Sequence, residues 1–236
     1  MLTEFYLLRL CIGACMLVYG SYRDVRTREV EDVVWLVMGA SGVLFASIEL
    51  LVGSLSPSQV LISLIVGAGF AFLLYALYFG GADVKAIIAL SLLFPRFPSS
   101  SALPVMGVPP LNVFVLSMLT NSLLIALLSP LSLFLYNALR RTFSPFMFIG
   151  YRVEVSALRR KKHFKLMHEI ENGERMRYIW GGIEPTEKVV THFEALARAG
   201  TIKDVWITPE LPFIVYLTAG FFTAAFYGDF IATLFL

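Results

Sequence analysis

The sequence predicts an all-α polytopic membrane protein with about six transmembrane helices and a small α+β cytoplasmic domain inserted between helices 5 and 6. Its 236 residues are 58% hydrophobic and 15% charged. An ordinary soluble domain has about 45–50% apolar and about 25% charged residues. Apolar segments long enough to cross a bilayer recur along the chain, and a single polar block interrupts them. These observations exclude an ordinary soluble protein.

Five apolar segments have the length of about 17–25 residues that a membrane span requires. They are Phe5–Tyr22, Val33–Val52, Val60–Phe79, Leu111–Tyr136 and Pro212–Leu236. We expect Arg9 to snorkel toward the N-terminal end of the first span. Glu49 and Asp229 are interpreted as solvated residues toward the external face.

The fourth segment, Val84–Phe94, is too short to cross a hydrocarbon core of about 30 Å. One reading is a half-helix that stops within the bilayer. The other is a span extended by the Pro/Ser-rich stretch 95–110. We favour the half-helix, which leaves a water-reachable region nearby, because non-helical backbone at that depth needs cover from protein or water.

The distribution of basic residues predicts the orientation. Six crossings place both termini on one side and put Arg23–Asp32, Gly80–Lys85 and Asn137–Glu210 together on the other. Those three segments hold 17 of the 19 Lys and Arg residues. The positive-inside rule makes that side cytoplasmic, with both termini outside. The predicted domains are therefore 1–137 with five helices, 138–209 as the cytoplasmic domain, and 210–236 as the last helix.

The polar block shows local patterns of its own. Gly150–Ser156 alternates like a short strand, and Arg175–Trp180 is a second candidate strand. Thr186–Ala199 is helical in pattern, with Thr186 as N-cap and Gly200 as its stop. The basic run 159–162 favours contact with anionic lipid headgroups or simply follows the orientation rule. A nucleic-acid partner is not predicted.

Histidines and cysteines do not predict a metal site or a disulfide. His163, His168 and His192 lack metal-ligand spacing and are interpreted as surface residues. Cys11 and Cys15 share one face of the first helix, where we interpret them as small packing residues. No cofactor is predicted.

Two aspartates end separate apolar segments on the predicted cytoplasmic side. Asp24 follows the first segment, and Asp83 opens the fourth. A carboxylate at a membrane boundary is costly unless it has a partner, water or a function. When two carboxyl groups share a site, ionisation of both is unfavourable, so one of them keeps its proton. The ionised partner can deprotonate water while the protonated one donates to a carbonyl, which is general acid–base hydrolysis of an amide.

The residues before Asp83 add to this interpretation. Gly80 and Gly81 permit close backbone approach and unusual dihedral angles. With Ala82 and Asp83 they form a G-x-A-D string, which suits an extended peptide laid beside the carboxylate.

Over nearly its whole length, the chain resembles the GxGD aspartic peptidases of membranes, and more narrowly the archaeal preflagellin and prepilin-like peptidases. The resemblance rests on the segments 24–30 and 80–85, the six-span layout and the late segment 206–209. It implies that Asp24 and Asp83 are the catalytic pair. Ala82 departs from the family's second glycine, which leaves the detailed geometry of this loop open.

The resemblance also implies the substrate. Related enzymes cleave class III signal peptides, in which a short basic leader precedes a hydrophobic helix, at the cytoplasmic boundary and after a small residue such as glycine. Glu29, Glu31 and Asp32 are candidate contacts for such a leader, with solvated juxtamembrane charges as the equal alternative. Lys85 is a headgroup anchor or an electrostatic modulator of Asp83.

We expect proteolysis without methyltransferase activity, because a short loop replaces the cysteine-bearing cytoplasmic region that the bifunctional bacterial relatives carry between their first two spans. The alternative function is a proton- or cation-coupled transporter that uses the same aspartates. It is disfavoured because the two halves of the chain lack matched broken helices. A non-catalytic scaffold does not explain the glycines before Asp83.

Overall fold

The structure is a computed structural model that describes residues 2–77, 79–97, 107, 111–171 and 175–235. Within them the chain is mostly helical, as predicted. Helices α1 to α6 are Leu2–Thr27, Asp32–Leu51, Pro57–Ala76, Gly81–Leu93, Phe114–Ala126 and Leu128–Leu139. Helices α7, α8 and α9 are Glu187–Arg198, Phe213–Phe226 and Phe230–Phe235, and strands β1 to β4 are Tyr151–Glu154, Phe164–Glu171, Arg175–Ile183 and Asp204–Pro209.

Among the described residues, four helical stretches are long and apolar enough to cross a membrane. They are Phe5–Thr27, Asp32–Leu51, Pro57–Ala76 and Phe114–Leu139. Helix α4 has 13 residues and α8 has 14, which at about 1.5 Å per residue is less than the thickness of a hydrocarbon core. The helices indicate a membrane protein. The count of six crossings stays a prediction, and most of the Pro/Ser-rich stretch 95–110 lies outside the described residues.

By its contacts the chain divides into two compact units, 1–126 with 212–236, and 127–211. Helix α4 is the central element of the first unit and packs between α2 and α3. Glycines let these helices approach closely, since a Cβ on Gly42 would lie 2.5 Å from the amide nitrogen of Leu93. At its C-terminal end, Phe94 stacks on Phe114 at 4.5 Å and meets Phe221 edge-on at 5.6 Å.

The last apolar segment differs from the single span predicted over Pro212–Leu236. Helix α8 ends at Phe226, and Gly228 takes a positive φ of 112° before α9 begins. Asp229 accepts the amide of Ala232 at 2.9 Å, which caps α9. Its exposed fraction is only 3%, so the expectation that Asp229 is solvated was wrong.

The predictions for Arg9 and Glu49, which belong to the opposite end of the spans, were also wrong. Arg9 and Glu49 are buried and joined by an ion pair of 2.7 Å between Nη2 and Oε2. Nη1 of Arg9 donates to the carbonyl of Leu93 at 2.8 Å. Neither snorkelling of Arg9 nor solvation of Glu49 is observed, because each charge satisfies the other inside the helix bundle. Cys11 and Cys15 do share a helix face, but both are exposed rather than packed.

The second unit is built on a four-stranded antiparallel sheet in the order β1-β4-β2-β3. The predicted strands at 150–156 and 175–180 are confirmed, as is the helix that follows Thr186 and stops before Gly200, whose φ is 77°. Strands β2 and β4 were not predicted. Phe193 of α7 is fully buried in the core of this unit, together with Val205 and Ile207.

His168 corrects the prediction of surface histidines. Its side chain is buried, and Nδ1 accepts the amide of Trp206 at 3.2 Å. Burial and the positive charge of Arg152 lower the pKa of His168. The ring also packs against Tyr178, with the ring centroids 4.5 Å apart. We therefore assign it to the core of the sheet.

Candidate active site

Asp24 lies in the last turn of α1, since the helix continues past the apolar segment to Thr27. Its Oδ2 accepts the backbone amide of Ile214 at 3.3 Å, in the first turn of α8. Its Oδ1 is 3.7 Å from Nη1 of Arg28, and the side chain is only 14% exposed. A carboxylate at the N-terminus of a helix interacts favourably with the helix dipole and the unsatisfied amides there. This hydrogen bond therefore joins the first turn of α8 to the last turn of α1.

Asp83 lies in the first turn of α4 and is 7% exposed. Its Oδ2 accepts the backbone amide of Gly80, the N-cap residue, at 3.1 Å. This is the arrangement of the acidic third residue in a capping box, where a side chain folds back to satisfy an amide that the helix leaves unpaired. The local sequence thus fixes the carboxylate at the start of the helix.

The two carboxylates come together although 58 residues separate them in the sequence. Burial opposes ionisation of the Asp83 carboxyl group, and Asp24 lies close enough for its negative charge to add to this effect. Helices α1 and α4 supply the two acids, and α8 supplies an amide donor. Two interacting carboxyl groups in a largely buried setting can divide into an acid and a base, which is the chemical requirement for activating a water molecule.

The glycines before Asp83 do not adopt the unusual dihedral angles that the sequence suggested. Gly80 has φ −63° and ψ 146°, Gly81 is not among the residues with positive φ, and both Gly81 and Ala82 already belong to α4. What distinguishes Gly80 is space, because a Cβ there would lie 3.2 Å from Oδ2 of Asp83. Ala82 fits because a helical position needs no glycine.

Three of the other predicted residues, Lys85, Asp32 and Glu31, form separate ion pairs near this end of the helices. Lys85 binds Asp32 at 2.6 Å, and both side chains are exposed. Glu31 pairs with Arg23 at 2.8 Å. Glu29 is exposed, and among the described residues no ion pair involves its side chain. The structure thus pairs Lys85 with Asp32, a partner that neither of the two interpretations of Lys85 included.

Sequence reasoning missed Arg28 and the amide of Ile214, both of which contact Asp24. Arg28 was counted only among the basic residues that predict the orientation. Its position four residues after Asp24 is a usable signal, because residues at i and i+4 are neighbours on a helix. The amide of Ile214 had no such signal, since it reaches Asp24 only through tertiary packing.

Two largely buried carboxyl groups on different helices of an apolar bundle are the arrangement expected of a hydrolytic enzyme of the membrane. Comparison with known proteins gives the family. Residues 11–138 match the type IV leader peptidase family, and residues 144–230 match the archaeal peptidase A24 C-terminus type II. Since the first match covers more than half of the chain, the protein belongs to the type IV leader peptidase family and is a protease.

Individual relatives agree with this assignment over nearly their whole length. The chain is 25% identical to the preflagellin peptidase of Methanococcus maripaludis, over 92% of this chain and 94% of the relative. It is 25% identical to the preflagellin peptidase of Methanocaldococcus jannaschii, over 95% of this chain and 96% of the relative. It is 27% identical to that of Methanococcus voltae, over 95% and 97%. None of these comparisons supports the transporter alternative.

Proposed function

We propose that this protein is a membrane aspartic endopeptidase that removes class III signal peptides from preflagellin and pilin-like precursors. The observation that carries the proposal is the position of two largely buried carboxyl groups, Asp24 in the last turn of α1 and Asp83 in the first turn of α4, in a chain of a peptidase family. The effect of the Asp24 charge on the ionisation of Asp83 supports their proximity. The names of the relatives support preflagellin as the substrate.

In the proposed mechanism both aspartates act on one water molecule and one peptide bond. The ionised carboxylate takes a proton from water, whose oxygen attacks the scissile carbonyl carbon. The protonated carboxyl group gives its proton to the carbonyl oxygen as the tetrahedral intermediate forms. During collapse the first aspartate returns its proton to the leaving nitrogen, and the second recovers its proton from the intermediate. The enzyme is thus regenerated without a covalent intermediate.

Membrane orientation is part of this proposal. We place six crossings with the aspartates and the 138–209 domain on the cytoplasmic side, in contact with membrane lipid and with both termini outside. The short α4 supports a site at the membrane boundary, because a helix of 13 residues leaves room for water at its end. A substrate helix lying in the bilayer would present its cytoplasmic end at that level.

The acidic residues Glu29, Glu31 and Asp32 are the proposed contacts for the basic leader. Glu31 and Asp32 are already paired with Arg23 and Lys85. Such exposed pairs contribute little to stability. A lysine of the leader can therefore exchange with either cation at small cost, whereas Glu29 is directly accessible.

The decisive experiment replaces each aspartate by its isosteric amide. We expect Asp24→Asn and Asp83→Asn each to abolish cleavage of a co-expressed preflagellin precursor while the protein remains inserted in the membrane. Asp204→Asn is the matched control, because this acid of strand β4 is also paired with a cation, Arg152, but is partly exposed and is not among the proposed site residues. Cleavage retained in either the Asp24 or the Asp83 variant would reject the proposed pair.

A further inference from the structure

Arg28 has an unusual backbone conformation at the end of α1. Its φ is 57°, and its amide donates to the carbonyl of Asp24 at 3.2 Å. This is the left-handed helix-ending motif in which glycine is the usual residue. A residue with a Cβ is strained in this region. Strained residues cluster at functional sites, where the surrounding structure holds them in place.

The side chain of Arg28 folds back to the residue that its own backbone caps. Its Nη1 lies 3.7 Å from Oδ1 of Asp24, and the side chain is only 22% exposed. A glycine would end the helix with less strain but would provide no guanidinium. The same turn therefore places a positive charge beside one of the two acids.

Asp83 has different surroundings. In the part of the chain that the structure describes, no ion pair reaches Asp83, and its hydrogen bond comes from the neutral amide of Gly80. The nearby cation Lys85 is engaged with Asp32. A positive charge within about 4–6 Å favours the ionised form of a carboxyl group, whereas burial without one favours the neutral form.

We propose that Arg28 is a positioning residue that keeps Asp24 as the ionised, water-activating member of the pair and leaves Asp83 as the proton donor to the scissile carbonyl. This inference rests on the proposed peptidase function and adds an assignment of roles to it. Asp24 takes the proton from water, and Asp83 protonates the carbonyl oxygen.

The other groups around Asp24 are consistent with this assignment. Helix α8 presents the amide of Ile214, which donates to the carboxylate. Helix α4 presents Asp83, whose own ionisation is opposed when Asp24 is charged. At the start of α2, the acids Glu31 and Asp32 are held by Arg23 and Lys85. Arg28 is thus the cation paired with Asp24 within the described residues.

The test compares three variants of the full chain in detergent, assayed across pH with a synthetic peptide that has a basic leader, a glycine at the cut and an apolar helix. Arg28→Gly removes the charge and relieves the backbone. Arg28→Lys keeps both the charge and the strained conformation. Arg141→Gly is the matched control, because Arg141 occupies the same left-handed position after α6 with φ 54° and is exposed, with no ion pair among the described residues.

We expect Arg28→Gly to shift the acid limb of the pH–activity profile upward by about one pH unit. Cleavage then falls about tenfold at pH values below both midpoints and recovers at higher pH. Its unfolding temperature should not fall, because glycine suits the turn. Arg28→Lys should keep the acid limb close to that of the unmodified protein, and Arg141→Gly should leave the whole profile unchanged.

An unchanged acid limb in Arg28→Gly would overturn the inference, as would equal shifts in Arg28→Gly and Arg141→Gly. Failure of the inference is separable from failure of the proposed function. If Asp24→Asn is inactive but Arg28→Gly titrates normally, the pair is catalytic and Arg28 does not assign its roles. If Asp24→Asn cleaves the peptide, the proposed function itself fails.

Discussion

The two ends of α4 carry buried charges that are arranged in opposite ways. At the C-terminal end, Arg9 is paired with Glu49 at 2.7 Å and donates to the Leu93 carbonyl at 2.8 Å. At the N-terminal end, Asp83 faces the like charge of Asp24. The first cluster balances a cation with an anion. The second brings two acids together in a largely buried place, which is costly unless the site uses the conflict.

This difference distinguishes charges that stabilise the fold from charges that the proposed function uses. A buried ion pair is explained by its two partners alone, because each group compensates the charge of the other. Two interacting carboxyl groups satisfy each other only when they share a proton. Arg9 fixes one end of this short helix, and the proposed function uses the other end for proton transfer.

The largest effects are expected when Asp83 and Glu49, near the two ends of α4, are replaced by their isosteric amides. Asp83→Asn should lower cleavage by at least about 10²–10⁴-fold, the usual contribution of a general acid or base, while the unfolding temperature stays or rises because like-charge repulsion is removed. Glu49→Gln should instead lower the free energy of unfolding by about 3–5 kcal/mol, because Arg9 is left as an unpaired buried charge. Thermal unfolding and cleavage per folded molecule, measured on both variants, test this contrast.

The control for the ion pair is the double variant Arg9→Met with Glu49→Met. Replacing both charges by apolar side chains of similar length should recover much of the stability lost in Glu49→Gln. If the double variant is less stable than the single one, the pair has a role beyond mutual satisfaction. If Glu49→Gln loses cleavage but not stability, the division between the two ends is wrong.

Much of the helical architecture was predictable because apolar length is a local property of the sequence. The spans beginning near Phe5, Val33 and Val60 correspond to α1, α2 and α3. The predicted topology placed Asp24 and Asp83 at one side of the bundle, which allowed them to share a site but did not fix the distance between them. These predictions needed no knowledge of how side chains pack.

Other features depend on contacts between distant segments and left little local signal. Arg9 and Glu49 are 40 residues apart in the sequence, so each looked like an end-of-span charge. Strand β4 contains Trp206, which lies buried in the sheet although no strand was predicted over residues 206–209. The left-handed turn at Arg28 was hidden because glycine, the residue that usually marks it, is absent.

A smaller effect is expected from the glycines that let neighbouring helices approach α4. A Cβ on Gly42 would lie 2.5 Å from the amide nitrogen and 2.6 Å from a carbonyl carbon at the C-terminal end of this helix. The backbone of α4 cannot move aside locally as a flexible side chain could. Gly42→Ala should therefore lower the free energy of unfolding by about 1–3 kcal/mol and displace Asp83 along with the helix. Cleavage and thermal unfolding should fall together.

Gly69→Ala is the matched control for Gly42→Ala. Gly69 lies in the middle of α3, and nothing stands within 4 Å of the position that a Cβ would take there. Alanine at this position should be neutral or stabilise by up to about 1 kcal/mol through helix propensity. Equal losses in the two variants would mean that close packing on α4 is not what Gly42 provides.

The smallest effect tests whether Gly80 serves Asp83 itself. A Cβ on Gly80 would lie 3.2 Å from Oδ2 of Asp83, whereas a Cβ on Gly81 would meet no atom of the described residues within 4 Å. We expect Gly80→Ala to slow cleavage by up to about tenfold through a small displacement of the carboxylate, with no loss of stability. Gly81→Ala should cleave normally, because its side chain would enter open space. If Gly81→Ala proves the slower enzyme, that open space is needed by the substrate, and the glycines serve peptide binding rather than the placement of Asp83.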